Sequence, residues 1–452
     1  MIHLSGGAGA PELDGEHRTV VVVGGGQAGL AMSKCLTGRR VDHLVLERDR
    51  VGGEWRDRRW DSFCLVTPNW QCNLPGFPYP GDDPNGFMVR DEIARYVEDF
   101  ARSFGPPVVT GVRATGLRRD RGGVFHLATT AGAVTADHVV VATGPYQVPL
   151  IPRMAERLPE KILQLHSSQY RNSAQLPAGD VLVVGSGQSG AQIAEDLHLA
   201  GRRVHLAVGS APRVARFYRG RDVVAWLSDM GYYRRTIDEF DDADAVRLRA
   251  NHYVTGRDGG RDIDLRAFAR DGMRLHGRLT GVDSGRLRFA QDLKRNLDHA
   301  DAVSESIKDS IDSYIAATGV IALAEARYTP VWVPGEEQAS ELDPAGIAAV
   351  IWATGFGRDD RWIDEPVFDG HGRPRHTRGV TNCPGLYFLG LPWQYTWGSG
   401  RLSGVGADAE HLADRIVAAR GARRLSDVRW IAGTPWNTCP GDDEFTPART
   451  VA

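Results

Sequence analysis

Apolar residues follow two rhythms along this chain, and the switches between them predict its elements. Short unbroken apolar runs recur at Thr19–Val23, Leu44–Leu46, Val139–Val141, Val181–Val184, Ala349–Trp352 and Leu386–Leu389. Runs this short predict strands buried on both faces, as in a parallel sheet covered by helices. Elsewhere the period lengthens. Ile93, Tyr96, Val97 and Phe100 put one apolar face on a helix over Arg90–Phe104. Leu293, Leu297, Val303, Ile307, Ile311 and Ile315 do the same on a long helix from about Gln291 to Ala317, a stripe expected to be core and not a site. Residues 51–90, rich in Gly, Pro, Trp, Asp and Asn, predict long ordered loops.

Two of the strands end in glycine fingerprints 161 residues apart: Gly24-Gly25-Gly26-Gln27-Ala28-Gly29 and Gly185-Ser186-Gly187-Gln188-Ser189-Gly190. Strand, tight glycine turn and helix in that order form a dinucleotide site, because the turn brings a pyrophosphate to the free N–H groups of a helix N-terminus. One chain with two such sites predicts a flavoprotein reduced by a nicotinamide cofactor. Glu47, 23 positions after Gly24, stands where a carboxylate accepts hydrogen bonds from a ribose diol. The equivalent position after Gly185 is Val208, followed by Gly209 and Ser210, with Arg213 and Arg216 just beyond. A site without the acid and with a forked, permanent cation predicts NADPH over NADH, with Ser210 and Arg213 at the 2′-phosphate.

Composition narrows the setting. The 452 residues can build two or three domains; 42% are hydrophobic, 25% are charged and the net charge is −3, so neither nucleic acid nor an anionic membrane is an expected partner. No secretory leader and no apolar run long enough to span a bilayer is present in the sequence, which predicts a cytoplasmic protein. The five cysteines are scattered and form no C-x-x-C, which reads as reduced thiols and weakens a disulfide-reductase reading. The 14 histidines do not fall at zinc-ligand spacing, so no metal is expected.

The ordered set of the first fingerprint, Gly52-Gly53 with Trp55, Ala142-Thr143-Gly144, the second fingerprint and Ala353-Thr354-Gly355 resembles the flavin-containing monooxygenases. His166-Ser167-Ser168-Gln169-Tyr170 matches the second half of that family's linker signature, while Glu160 and Ile162 replace the Phe and Gly of its first half. The resemblance covers about residues 18–420. It implies FAD and NADPH as cofactors, and hydride transfer to the flavin. Oxygen then passes from a flavin C4a-(hydro)peroxide to a small-molecule substrate, with O2 as co-substrate. N- or S-oxidation is implied ahead of Baeyer–Villiger chemistry, since the signature is incomplete. The alternative is an NADPH-dependent oxidase or reductase passing electrons to oxygen or a quinone.

The implied fold is α/β, with two doubly wound Rossmann-like domains and the NADPH domain inserted in the FAD domain. The expected division is a disordered tail at 1–17, FAD-binding parts at 18–155 and 346–420, an NADPH-binding domain at 156–345 with a covering insertion at about 215–290, and a surface tail at 421–452. Asn69 is a candidate for bonding the flavin or the oxygen adduct, and His166 for coupling the two cofactors. Gly53 and Trp55 are expected along the flavin, and Thr143 and Thr354 in the two Ala-Thr-Gly turns. Gly390, Trp397 and Gly404 belong to a loop leading to a helix N-terminus at the pyrimidine end of the ring, where the dipole favours the charge that reduction creates. A homodimer is left open.

Overall fold

The computed structural model describes residues 12–335 and 339–431. The first unit begins with β1 (Glu16–Val23), α1 (Gln27–Gly38) and β2 (His43–Glu47), and continues through a short α2 (Gly53–Asp57) and α3 (Arg90–Phe104). The strands β3 (Val108–Thr110), β4 (Ala114–Arg119), β5 (Phe125–Thr129) and β6 (Gly132–Val141) follow. Their sheet has the order β3-β2-β1-β6-β5-β4. It is parallel across β3, β2, β1 and β6 and antiparallel across β6, β5 and β4. On α3 the predicted face, Ile93, Tyr96, Val97 and Phe100, is buried.

The chain then crosses to a second unit. Strands β7 (Leu163–His166) and β8 (Asp180–Val184), helix α4 (Gln188–Leu199) and β9 (Val204–Ala207) lead into an insertion that carries α5 (Val223–Asp229). After it come β10 (Arg274–His276), the hairpin β11 (Leu279–Asp283) and β12 (Arg286–Phe289), the long α6 (Leu293–Thr318), β13 (Glu341–Leu342) and β14 (Ile347–Trp352). The second sheet is wholly parallel, ordered β7-β14-β8-β9-β10. The return crossing is tied to the outward one: Phe356–Gly357 pairs antiparallel with Val148–Pro149. Last, β15 (Leu386–Phe388) pairs in parallel with the end of β6, and α7 (Val405–Ile431) packs on α1.

This is the expected fold class, with four boundaries moved. Residues 16 and 17 lie within β1, and Leu13 is buried with its N–H donating to the Ala131 carbonyl at 2.9 Å, so the expected loose tail stops short of 17. Positions 1–11 lie outside the described residues. Ile347–Trp352 lies between β7 and β8, so the second unit extends past 345. The insertion ends before β10, because Arg274–His276 is a strand of the second sheet. Helix α7 runs through 421 to Ile431, and 432–452 lie outside the described residues.

Candidate active site

The two fingerprints are built alike. In each, the first glycine has positive φ, +110° at Gly24 and +102° at Gly185. A methyl group there would lie 2.5 Å from the Ala142 carbonyl oxygen in one unit and 2.7 Å from that of Ala353 in the other. The first glycine and the Ala-Thr-Gly turn are therefore one packing device used twice. At Gly29 and Gly190 a methyl would stand 1.8 Å from the carbonyl oxygen of Gly24 or Gly185, so only glycine lets each helix start so close to its own turn.

Gly26 and Gly187 differ. Their φ values of −77° and −67° suit any residue, and no protein atom lies within 4 Å of a methyl placed there. The space they leave is open at the N-termini of α1 and α4, which suits an anion approaching free N–H groups. Both glycines, with Gln27, Ala28, Gln188 and Ser189, line a single cavity of about 1420 Å3 running from one fingerprint to the other.

Glu47 also lines this cavity, where its carboxylate accepts the Gly25 N–H at 2.6 Å and the Asp49 N–H at 2.8 Å. In the second unit Ser186 ties turn to strand end instead, its hydroxyl accepting the Gly209 N–H at 3.0 Å. Gly53, Trp55, Thr143, Gly390 and Trp397 also line the cavity. Trp55 Nε1 and Gln71 Oε1 are buried there with no hydrogen-bond partner in the protein, as are Gln188 Oε1 and Gln192 Oε1 beside the second fingerprint. Unmet donors and acceptors in a cavity edged by two helix N-termini fit a flavin dinucleotide at the first cradle and a nicotinamide dinucleotide at the second.

The remaining candidates act from behind the wall or elsewhere. Gly185, Gly190 and Gly29 shape the turns. A methyl on Gly404 would fall 2.6 Å from the Gly398 carbonyl carbon, so this glycine fixes the entry to α7. Thr354 donates its hydroxyl to the Leu150 carbonyl, across the paired crossings. Ser210 is exposed and does not line the cavity.

Three assignments need correction. Asn69 is 3% exposed and does not line the cavity; its Oδ1 accepts the Met88 N–H at 2.7 Å and its Nδ2 donates to the Asp83 carbonyl at 3.0 Å. Both ends of the amide hold the 83–88 loop, which keeps Asn69 out of the cavity wall. His166 is fully buried: Nδ1 accepts the Ser168 N–H at 3.2 Å, and Nε2 faces the Gly355 carbonyl at 2.9 Å as donor. Burial lowers its pKa and keeps it neutral. It positions Ser168 and Gly355, which line the cavity, and is not itself in reach of a ligand. Arg213 is 3% exposed, its Nε on Asp301 at 2.6 Å and its guanidinium 4.1 Å over the Tyr328 ring. A cation so enclosed is not presented to a 2′-phosphate. Arg216 is likewise engaged, by Asp222 at 2.6 Å and the Val66 carbonyl at 2.6 Å.

Other residues at the site were not foreseen. Val303 and Ile307, read as core, line the cavity, together with Leu227, Tyr232, Tyr233 and Arg401. Arg59 lies over the rings of Trp55, Phe63 and Tyr146 at 5.3, 5.8 and 6.0 Å. No local signal singles these out, because the insertion, α6 and the 390–404 loop meet only in the folded chain.

The family described as pyridine nucleotide-disulphide oxidoreductase matches residues 21–258. An oxidoreductase designated CzcO-like, from Geobacillus kaustophilus, is 36% identical over 401 residues, covering 88% of this chain and 98% of that protein. The chain belongs to this family. It is a flavin-dependent oxidoreductase of the flavin-containing-monooxygenase-like kind, using FAD and a pyridine dinucleotide, as the two cradles require. The indole-3-pyruvate monooxygenase YUCCA1 of Oryza sativa is 27% identical over 321 residues, 66% of this chain and 76% of that one. In fold the chain matches a double mutant of the flavin monooxygenase from Stenotrophomonas maltophilia, with a TM-score of 0.63 at 19% identity over 89% of this chain and 99% of the other. Among the described residues no helix is long and apolar enough to cross a membrane.

Proposed function

We propose that the protein is an NADPH-dependent monooxygenase that transfers one oxygen atom to a small organic substrate, with N- or S-oxidation as its chemistry. The balance is substrate, O2, NADPH and a proton going to oxygenated product, NADP+ and water. The observation that carries this reading is the single cavity that joins the two cradles and is lined further on by the insertion, at Leu227, Tyr232 and Tyr233. A flavin bound there supplies the redox and oxygen chemistry. Residues of the two cradles, Gly26 and Gly187 with the helix starts behind them, would hold the two dinucleotides.

The four cysteines among the described residues argue against disulfide chemistry. Cys35, Cys64, Cys72 and Cys383 are free and buried. Burial pushes the Cys64 and Cys383 thiols up to about 11 and that of Cys72 to about 12, far from a reactive thiolate. The names of the two monooxygenases above also favour oxygen transfer over simple oxidase activity.

NADPH is retained as the reductant, with a different partner for its 2′-phosphate. Strand β10 lies beside β9, and the Val208 N–H donates to the His276 carbonyl at 2.9 Å. Arg278, two residues on, follows the end of β10 next to the strand that leads to Gly209 and Ser210, and like Ser210 it lies outside the cavity lining. It is exposed and forms no ion pair among the described residues. Anaerobic addition of NADPH should bleach the bound flavin far faster than NADH does. With substrate present, less than one peroxide should then be released per NADPH oxidised in air. Stoichiometric peroxide under all conditions would favour the oxidase.

A further inference from the structure

We infer that the substrate of this cavity is an apolar organic carboxylate, and that Arg401 receives its anionic group. The inference rests on the monooxygenase reading for the site and goes beyond it to the substrate's chemistry.

Arg401 follows the glycine turn at Gly400 and precedes α7, and its side chain lines the cavity. The guanidinium lies 3.7 Å from the centre of the Trp397 ring. Its Nη1 donates to the Trp397 carbonyl at 2.5 Å and its Nη2 to Asn251 Oδ1, in the insertion, at 2.8 Å. Five N–H groups are available on a guanidinium, and these two bonds leave the fork incomplete. No carboxylate lies within ion-pair distance among the described residues. Burial pulls its pKa down, and the ionisable groups nearest it are the phenols of Tyr146, Tyr233 and Tyr232, which carry no charge near neutral pH.

Most other cavity arginines are neutralised: Arg50 by Asp57, Arg59 by Glu54, Arg216 by Asp222 and Arg361 by Asp359. Arg113, also without an ion pair, is exposed at the far rim near Glu47's strand. Among the described arginines of the cavity, Arg401 combines partial burial with a charge that no carboxylate matches, so a ligand anion could pair with it.

The wall around it selects what kind of anion. Between residues 214 and 307 the lining contains no aspartate or glutamate; it presents Val224, Leu227, Tyr233, Val303 and Ile307. Burial lowers the pKa of His252, which disfavours a second cation competing for the anion. The open space for cofactor phosphates lies at Gly26 and Gly187, whereas Arg401 is hydrogen-bonded to Asn251 of the insertion. A forked cation beside an aliphatic and aromatic wall suits a carboxylate on an apolar body.

The test uses the FAD-loaded enzyme with NADP+ and two probes of one shape, 3-phenylpropanoate and 3-phenylpropan-1-ol. Binding is read from the spectrum of the oxidised flavin, without turnover. The acid should bind at least about tenfold more tightly than the alcohol. R401M should erase that difference by weakening the acid alone, R401K should keep part of it, and N251A should weaken the acid severalfold with flavin content unchanged. Equal binding of the two probes by the wild type, or no binding of the acid up to about 20 mM, would overturn the inference. Loss of FAD or NADP+ affinity in R401K and N251A would overturn it too, by placing Arg401 on a cofactor phosphate. Because no reduction is involved, failure of NADPH to bleach the flavin would count against the monooxygenase reading and leave the probe result standing.

Discussion

At the scale of single residues, glycines of one motif do different work. Gly29→Ala pushes a methyl to 1.8 Å from a backbone carbonyl and should cost several kcal/mol, leaving little folded protein. Gly26→Ala meets no protein atom and should leave the apo-protein's stability within about 1 kcal/mol of wild type while FAD affinity collapses. Thermal melts with and without FAD separate the two effects. The arginines divide in the same way. Arg278→Ala should lower kcat/KM for NADPH roughly ten- to hundredfold, about 1.5–3 kcal/mol, with NADH nearly unaffected. Arg213→Met breaks a buried ion pair and should destabilise the fold by about 3 kcal/mol without changing the choice between NADPH and NADH. An unchanged NADPH preference in the Arg278 variant would remove it from the 2′-phosphate.

The elements carry a pH dependence of their own. Strands β9 and β10 set His205 and His276 side by side, Nδ1 to Nε2 at 2.9 Å, with Asp180 and Arg274 beside His205 and Phe289 stacked on His276 at 4.5 Å. Burial, reinforced by His205 and Arg274, lowers the His276 pKa from 6.5 to about 4. The unfolded chain thus binds this proton more readily than the folded one. The stabilisation is complete above about pH 6.5 and is lost as pH falls towards 4, at most about 3 kcal/mol. Denaturant midpoints measured across that window should fall in the wild type and flatten in His276→Gln. A midpoint that does not change between those limits would mean the histidine pair is solvated.

At the scale of elements the sequence was also most legible. Buried runs such as Val181–Val184 need no partner to be recognised, because a strand covered on both faces is apolar throughout. The fingerprints and Glu47 were legible because turn, helix start and strand end lie within a few residues of one another. Arg213 was misread because the carboxylate that encloses it, Asp301, lies 88 residues away on α6. Asn69 was misread for the same reason, since the 83–88 loop takes up its amide. Arg401 and Tyr233 were missed because the cavity between them forms only when the insertion folds over the 390–404 loop.

For the whole molecule, two sheets of unlike strand order are joined by paired crossings and share one cavity, and the function follows from that connection. In the proposed function, the second cradle would hold NADPH and the first the flavin it would reduce, with the insertion over the place where a substrate would receive oxygen. The most direct test is anaerobic stopped-flow reduction by NADPH followed by mixing with oxygen and NADP+, with spectra recorded throughout. The account predicts rapid bleaching, then a near-ultraviolet species that outlives the bleached flavin and decays faster when substrate is present. Direct return of the oxidised spectrum with one peroxide per NADPH, substrate or not, would contradict it.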